Sequence, residues 1–192
     1  MKVGKVGSTE APRHPRKLTY EDYILFPEDG LRHEILDGEH YVTPTPLIRH
    51  QIVSSNLHVH LGPFVEKHHL GITLYAPVDV ILSPHDVAVP DHLFISKERA
   101  AIIKKKNIRG APDLVIEILS KRTRRRDERI KLQRYDLCGV LEYWIVDPER
   151  QGAKLYRRDG GRLRLAAELS AGDILTTSLL PGLEIPLAEI FE

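Results

Sequence analysis

Glu117 is a side chain whose chemistry conflicts with its surroundings. It lies inside Leu114-Val115-Ile116-Glu117-Ile118-Leu119, an apolar and largely β-branched run of the kind that forms a strand buried on both faces. A carboxylate there is costly unless it is paired or holds a cation. Two solutions are open: an internal salt bridge to an arginine such as Arg125 or Arg134, or a metal ion. Asp91 ends another strand-like segment, in Val89-Pro90-Asp91, where alone it would pass for a turn aspartate. The two carboxylates come from segments that can be neighbours in one sheet. Convergent oxygen donors of this kind suit a hard cation such as Mg²⁺, which keeps several waters and binds through one or two carboxylates plus substrate phosphate. Lys131 falls in the helical segment after the Glu117 strand. Alone it reads as a surface lysine. A helix packed back across the sheet, however, would return its ammonium to the strand end. There it could orient a water and offset charge on a phosphorane-like transition state. Asp91, Glu117 and Lys131 together make a set suited to metal-assisted phosphodiester hydrolysis.

Hydrophobic periodicity outlines the elements that must carry these groups. Thr19, with Asp22 three positions later, caps a short helix ending near Phe26-Pro27. His33–Leu36 reads as a strand, Asp37-Gly38 as a tight turn, and Tyr41-Val42 as the start of the return strand. Ile48, Ile52, Leu57, Leu61 and Val65 recur at helical spacing within 47–69, where Gly62-Pro63 is expected to kink or split the helix. Val78, Val80 and Leu82, then Val87 and Val89, alternate about a turn at Ser83–Asp86. After Leu93–Ile95, Ser96 is expected to cap a short helix. A helix over Arg124–Leu137 ends at Gly139, and a central strand follows at Glu142–Val146. Lys154–Arg158 and Leu163–Leu169 form a hairpin about Asp159-Gly160-Gly161, and Leu187–Phe191 closes the chain as a helix. The pattern predicts an α/β fold with a mixed β-sheet flanked by helices. Residues 1–16 are expected to be a flexible arm and 17–192 one domain.

The 192 residues suffice for a proper core, and 42% hydrophobic with 29% charged residues is ordinary for a soluble globular protein. No apolar run approaches the roughly 20 residues of a membrane helix, and the basic N-terminus lacks the apolar region of a secretory signal. The single cysteine, Cys138, excludes an internal disulfide and a Cys-rich zinc site, which suits a cytoplasmic location. The net charge of +1 excludes a polybasic binder overall. Local runs remain: Lys104, Lys105 and Lys106, then Lys121, Arg122, Arg124, Arg125 and Arg126. Such runs are either solvated faces or a local grip on a polyanion.

Val89–Asp91, Ala111-Pro112-Asp113 with Leu114–Ser120, Lys131, and Gly139–Pro148 resemble, in that order, the Uma-two family. This is a group described as restriction endonucleases, within the PD-(D/E)XK nuclease superfamily. His33–Glu39 and Arg49-His50 resemble the N-terminal segment of the same family, and the likeness runs from about Leu18 to Arg158. The resemblance implies a restriction endonuclease-like core and a Mg²⁺-dependent site, with Mn²⁺ as a substitute. It implies that Asp91 and Glu117 are the acidic pair and that Glu34 is the family's N-terminal glutamate. The chain departs from the superfamily's Glu-x-Lys, because Glu117-Ile118 is followed by Leu119. Lys131 resembles the relocated helical lysine of the family. Lys121, where the family often has proline, is the second candidate.

Other residues compete less well. The pairs His58/His60 and His68/His69 are spaced so that neither puts two rings on one helix face. His50 is a helix-face histidine that could touch substrate or support Glu34. There is no zinc motif, phosphate loop or nucleophile elbow, and Cys138 reads as a packing residue. The leading expectation is a DNA endonuclease in which Asp91, Glu117 and Glu34 hold Mg²⁺ and Lys131 steadies the attacking water. Lys121, Arg124, Arg125 and Arg126 would contact phosphates without reading sequence. A homodimer is expected, so that one site addresses each strand. The alternatives are a non-catalytic DNA-binding or interaction module on a decayed nuclease fold, and a hydrolase of a small phosphorylated metabolite. The latter leaves the basic runs without a role.

Overall fold

The computed structural model describes residues 16–192. All of the expected N-terminal arm except Arg16 lies outside the described residues. In chain order the strands are β1 (Arg32–Leu36), β2 (Glu39–Thr43), β3 (Gly71–Tyr75), β4 (Val80–Ser83), β5 (Asp86–Ala88), β6 (His92–Ser96), β7 (Ile108–Arg109), β8 (Leu114–Ile118), β9 (Glu142–Asp147), β10 (Gly152–Asp159), β11 (Arg162–Ser170), β12 (Ile174–Thr176) and β13 (Glu184–Pro186). The α-helices are α1 (Tyr20–Tyr23), α2 (Ile48–Lys67), α3 (Leu132–Cys138) and α4 (Leu187–Phe191). A six-stranded mixed sheet runs β11-β10-β9-β8-β6-β3, and a five-stranded sheet runs β2-β1-β5-β4-β7. In the larger sheet β8 lies parallel to β9 and antiparallel to β6.

The alternation of side chains along β8 divides the interior into two layers. Leu114, Ile116 and Ile118 face one way, into a core shared with Val53, Leu57, Leu61 and Val65 of α2. Val115 faces the other way, toward Tyr135, Tyr143 and Ile145. Glu117 is in step with Val115, so its carboxylate enters this second layer, beneath the crossover that links β8 to β9. That crossover holds the main departure from expectation. The segment 124–137 is not one regular α-helix, because a π-helical stretch, Arg126–Lys131, precedes α3. Asp127 and Lys131 are buried on this stretch. Wider π turns occur often at functional sites, and here the winding turns two charged side chains inward.

The β1–β2 hairpin turns through Asp37 and Gly38, both at positive φ (53° and 79°). This is the backbone a two-residue primed turn requires, and it matches the Asp-Gly signal in the sequence. Pro63 does not split α2, which continues unbroken to Lys67. The carbonyl Pro63 leaves unpaired belongs to Val59, an exposed residue, so water can satisfy it. Ser96 stands at the start of a 3₁₀ helix, Lys97–Ile102, without a side-chain capping bond. Its own amide donates to Asp113 Oδ2 at 2.8 Å instead.

Candidate active site

β6 and β8 bring the two acids of the sequence together. His92 pairs with Ile116 and Leu93 with Val115. Continuing this antiparallel register by one step sets Asp91 opposite Glu117, on the same face of the sheet. Asp91 is held by three donors. Its Oδ2 accepts the Ile118 amide at 2.9 Å and His50 Nε2 at 3.1 Å, and its Oδ1 accepts Arg32 NH1 at 2.8 Å. Burial works to raise the Asp91 pKa, but the hydrogen bond and charge of His50 and the charge of Arg32 outweigh it, holding the carboxyl well below the usual range. His50 thus supports Asp91 rather than Glu34.

Glu117 is 3% exposed, and its partners are Lys131 and Tyr135 rather than Arg125 or Arg134. Lys131 Nζ and the Tyr135 hydroxyl each donate to Glu117 Oε1 at 2.8 Å. The two donors are four residues apart on the crossover helix, so they share one face of it. Burial, aided by the charges of Asp91, Asp127 and Glu34, raises the Glu117 pKa to about 8 against the opposing charge of Lys131. Lys131 is 2% exposed and also lies 2.8 Å from Glu34 Oε1. Burial disfavours its ammonium, but Glu117, Glu34 and Asp127 more than compensate, so it stays charged. Glu34 reaches inward from β1, where its Oε1 also accepts the Val89 amide at 2.9 Å.

Asp127 is a member of the cluster that sequence reasoning missed. It is buried, its Oδ1 lies 3.9 Å from Lys131 Nζ, and burial raises its pKa to about 6. Its i, i+4 relation to Lys131 was the available signal, masked by the basic run around it. Arg32, two residues before Glu34 on β1, was missed as well. The cations expected to face a polyanion separate into distinct environments. Lys121 is 83% exposed, beside Glu149, and Arg125 is also exposed. Arg124 is paired with Asp147 at 2.8 Å. Arg126 turns inward, donating to Thr43 Oγ1 at 2.6 Å and lying 3.6 Å from Glu34 Oε2.

Arg32, Glu34, His50, Asp91, Glu117 and Lys131 line one cavity of about 510 Å³, with exposed Lys121 and Arg122 at its edge. Two buried carboxylate oxygens in it, Glu34 Oε2 and Asp127 Oδ1, have no hydrogen-bond partner. Such orphaned oxygens carry a desolvation cost that a hard cation would remove, and an all-oxygen donor set suits Mg²⁺ or Mn²⁺. The residues therefore fit a divalent metal. Among the described residues no three acidic, histidine or cysteine side chains already form a cage for one. Lys131 stands between Glu34 and Glu117, and Arg32 occupies Asp91.

No helix among the described residues is long and apolar enough to cross a membrane. A search of curated proteins gives no match. Among solved structures, the chain is similar to a protein from Anabaena variabilis ATCC 29413 described as "a putative nuclease belonging to DUF820". The TM-score is 0.75 at 18% identity, over 91% of this chain and 97% of that one, which establishes a shared fold. The model of the Uma2 family, described as "Putative restriction endonuclease", matches residues 20–188. That span takes in β1, both acids and the crossover lysine, and the chain belongs to the Uma2 family.

Proposed function

We propose that the chain is a Mg²⁺-dependent endodeoxyribonuclease, with Mn²⁺ able to substitute. One observation carries this reading. A fully buried lysine lies at 2.8 Å from two glutamates in a cavity that also holds Asp91. Maintaining this many charges out of water costs stability, and a purely structural core gains nothing from it. Asp91 and Glu117 would hold the cation, with Glu34 contacting it directly or through water. When bound, such a metal lowers the pKa of a water and neutralises charge on the phosphoryl oxygens. Lys131 keeps its proton and orients the attacking water while stabilising negative charge on the transition state. His50 and the Ile118 amide fix the rotamer of Asp91. Tyr135 does the same for Glu117. Exposed Lys121 and Arg125 would meet the DNA backbone without reading sequence, and a homodimer would present one site to each strand.

The test is incubation with supercoiled, linear and single-stranded DNA, with and without Mg²⁺ or Mn²⁺, alongside Asp91→Asn and Glu117→Gln. Metal-dependent cleavage by the unmodified chain, lost in both variants, is the expected result. One observation favours the second reading, a DNA-binding module on a decayed nuclease fold: both Asp91 oxygens are already satisfied by protein donors. DNA binding without cleavage under either metal would establish that reading instead.

A further inference from the structure

We infer that Arg32 is a built-in counter-ion that the metal displaces from Asp91 and that then takes a phosphate of the bound DNA. The inference rests on the nuclease reading above and deepens it.

Arg32 and Glu34 are two residues apart on β1, so both project to the cavity side of the strand. Arg32 grips Asp91 by one nitrogen only, NH1 to Oδ1 at 2.8 Å. Among the described residues its Nε and NH2 donate no hydrogen bond, and neither is enclosed as a buried orphan. A one-nitrogen grip by a residue that lines a cavity, with its remaining donors unbonded, is a weak lock for a guanidinium, whose planar fork is built for two-point contact. When Arg32 leaves, Asp91 keeps its bonds from His50 and the Ile118 amide, so the carboxylate stays aimed while Oδ1 becomes available. A divalent cation on Oδ1 and a guanidinium 2.8 Å from the same atom would repel at close range in a low-dielectric site, so the two exclude one another. The released guanidinium remains within the cavity that Arg32 lines. A phosphate diester entering to reach the metal presents the paired oxygens that fork matches.

The test uses the full chain with Arg32→Gln and Arg32→Lys, each checked for folding by circular dichroism. Mn²⁺ titration calorimetry should show Arg32→Gln binding the ion about tenfold more tightly than the unmodified protein, a typical coupling between competing groups. In saturating Ca²⁺, the same variant should bind a short oligonucleotide more weakly, with a salt slope smaller by about one. Arg32→Lys, which keeps the charge but loses the fork, should fall between the two, and it decides the matter if the glutamine variant does not fold. Unchanged or weaker Mn²⁺ binding, or unchanged oligonucleotide binding, overturns the inference. Cleavage intact with unchanged Mn²⁺ affinity sinks this inference alone. No cleavage, with Mn²⁺ binding gained on substitution, sinks the nuclease reading but sustains the displacement of Arg32. Mn²⁺ bound by none of the proteins overturns both.

Discussion

Two groups among the buried carboxylates of the described residues are treated in opposite ways. Asp86, fully buried on β5, has every lone-pair direction answered. Oδ1 accepts the Asp37 amide and Arg134 Nε, and Oδ2 accepts Ser83 Oγ and Arg134 NH2, all between 2.6 and 2.9 Å. Burial opposes the charge, but the Arg134 fork and the Asp37 and Ser83 donors outweigh it and lower the pKa. In the cavity, Glu34, Glu117 and Asp127 share Lys131, two of their oxygens have no partner, and the Glu117 and Asp127 pKa values are raised. A buried charge that serves the fold is fully satisfied. On the proposed nuclease reading, the partner missing from Glu34 and Asp127 would arrive with the metal or the substrate, whereas Asp91, already satisfied by Arg32, His50 and the Ile118 amide, would have to give up a donor.

Breaking each half should therefore give a different kind of damage, and the larger effect belongs to the cavity. Glu117→Gln should lose about 10³-fold or more in DNA cleavage, while thermal melting shows an intact fold. Its amide oxygen can still accept from Lys131 and Tyr135. Cleavage retained within tenfold would remove Glu117 from the chemistry. The next effect in size belongs to the structural pair. Arg134→Ala leaves the Asp86 charge buried and should cost about 3–5 kcal/mol of stability, or about 10 °C in Tm. Asp86→Asn should cost less, because Arg134 is partly exposed and keeps Asp37 at 3.3 Å. Cleavage per folded molecule should be unchanged. An unaltered Tm would mean that the pair contributes nothing to holding β5 against the crossover helix.

The sequence made much of this legible, with reasons that can be named. Glu117 stood out because a strand otherwise all apolar cannot hide a carboxylate. The matches to β1, β6, β8 and β9 came from short apolar runs bounded by turn residues, and that of the β4–β5 hairpin from alternation, signals that are all local. What escaped depended on winding or on partners distant in sequence. Asp127 sat inside a basic run, which masked its place on the same inward face as Lys131. Arg126 looked like its exposed neighbours, yet from the π stretch it points at Glu34 and Thr43. β3, at the sheet edge beside β6, begins with glycine and has a half-exposed pattern that gave no clear alternation. Arg32 has nothing in its local sequence to mark it. Its meaning comes from Asp91, brought to it across the fold.

The raised Glu117 pKa yields a pH dependence that sharpens the comparison. The group's ordinary value is 4.5 and its folded value about 8. Between those limits the unfolded chain has lost this proton and the native state still holds it, so the stability contribution falls as pH rises. Asp86 behaves with the opposite sign, since its folded pKa is depressed: its contribution is present above the ordinary value of 3.8 and is lost on acidification. Denaturant unfolding of the unmodified protein, compared with Glu117→Gln, should show the variant gaining on it between pH 5 and 8, by a few kcal/mol in order of magnitude. Saturating Ca²⁺ should close that gap at pH 8 more than at pH 5, because cation binding requires the deprotonated carboxylate. A difference independent of pH would mean that Glu117 is ionised throughout and that Lys131 alone compensates it.

The smallest effects should come from the arginine run, and they should separate neighbours that look alike in sequence. Arg125 is exposed, so Arg125→Ala should leave Tm unchanged and reduce DNA affinity only a few-fold, with the salt slope lowered by about one if it meets a phosphate. Arg124→Ala removes the 2.8 Å contact with Asp147, a partly exposed pair worth about 1 kcal/mol or less. Arg126→Ala is different in kind. It strips Thr43 of its donor and Glu34 Oε2, which already lacks a hydrogen-bond partner, of a cation 3.6 Å away. It should lower Tm more than the other two and lower cleavage with it, because Glu34 would drift from its place beside Lys131. Fluorescence anisotropy against salt, run in parallel with melting on the three single variants, reads both quantities. Equal effects at all three positions would mean that the run acts as one solvated cationic face, and the inward turn of Arg126 would then have no part in arranging the acids.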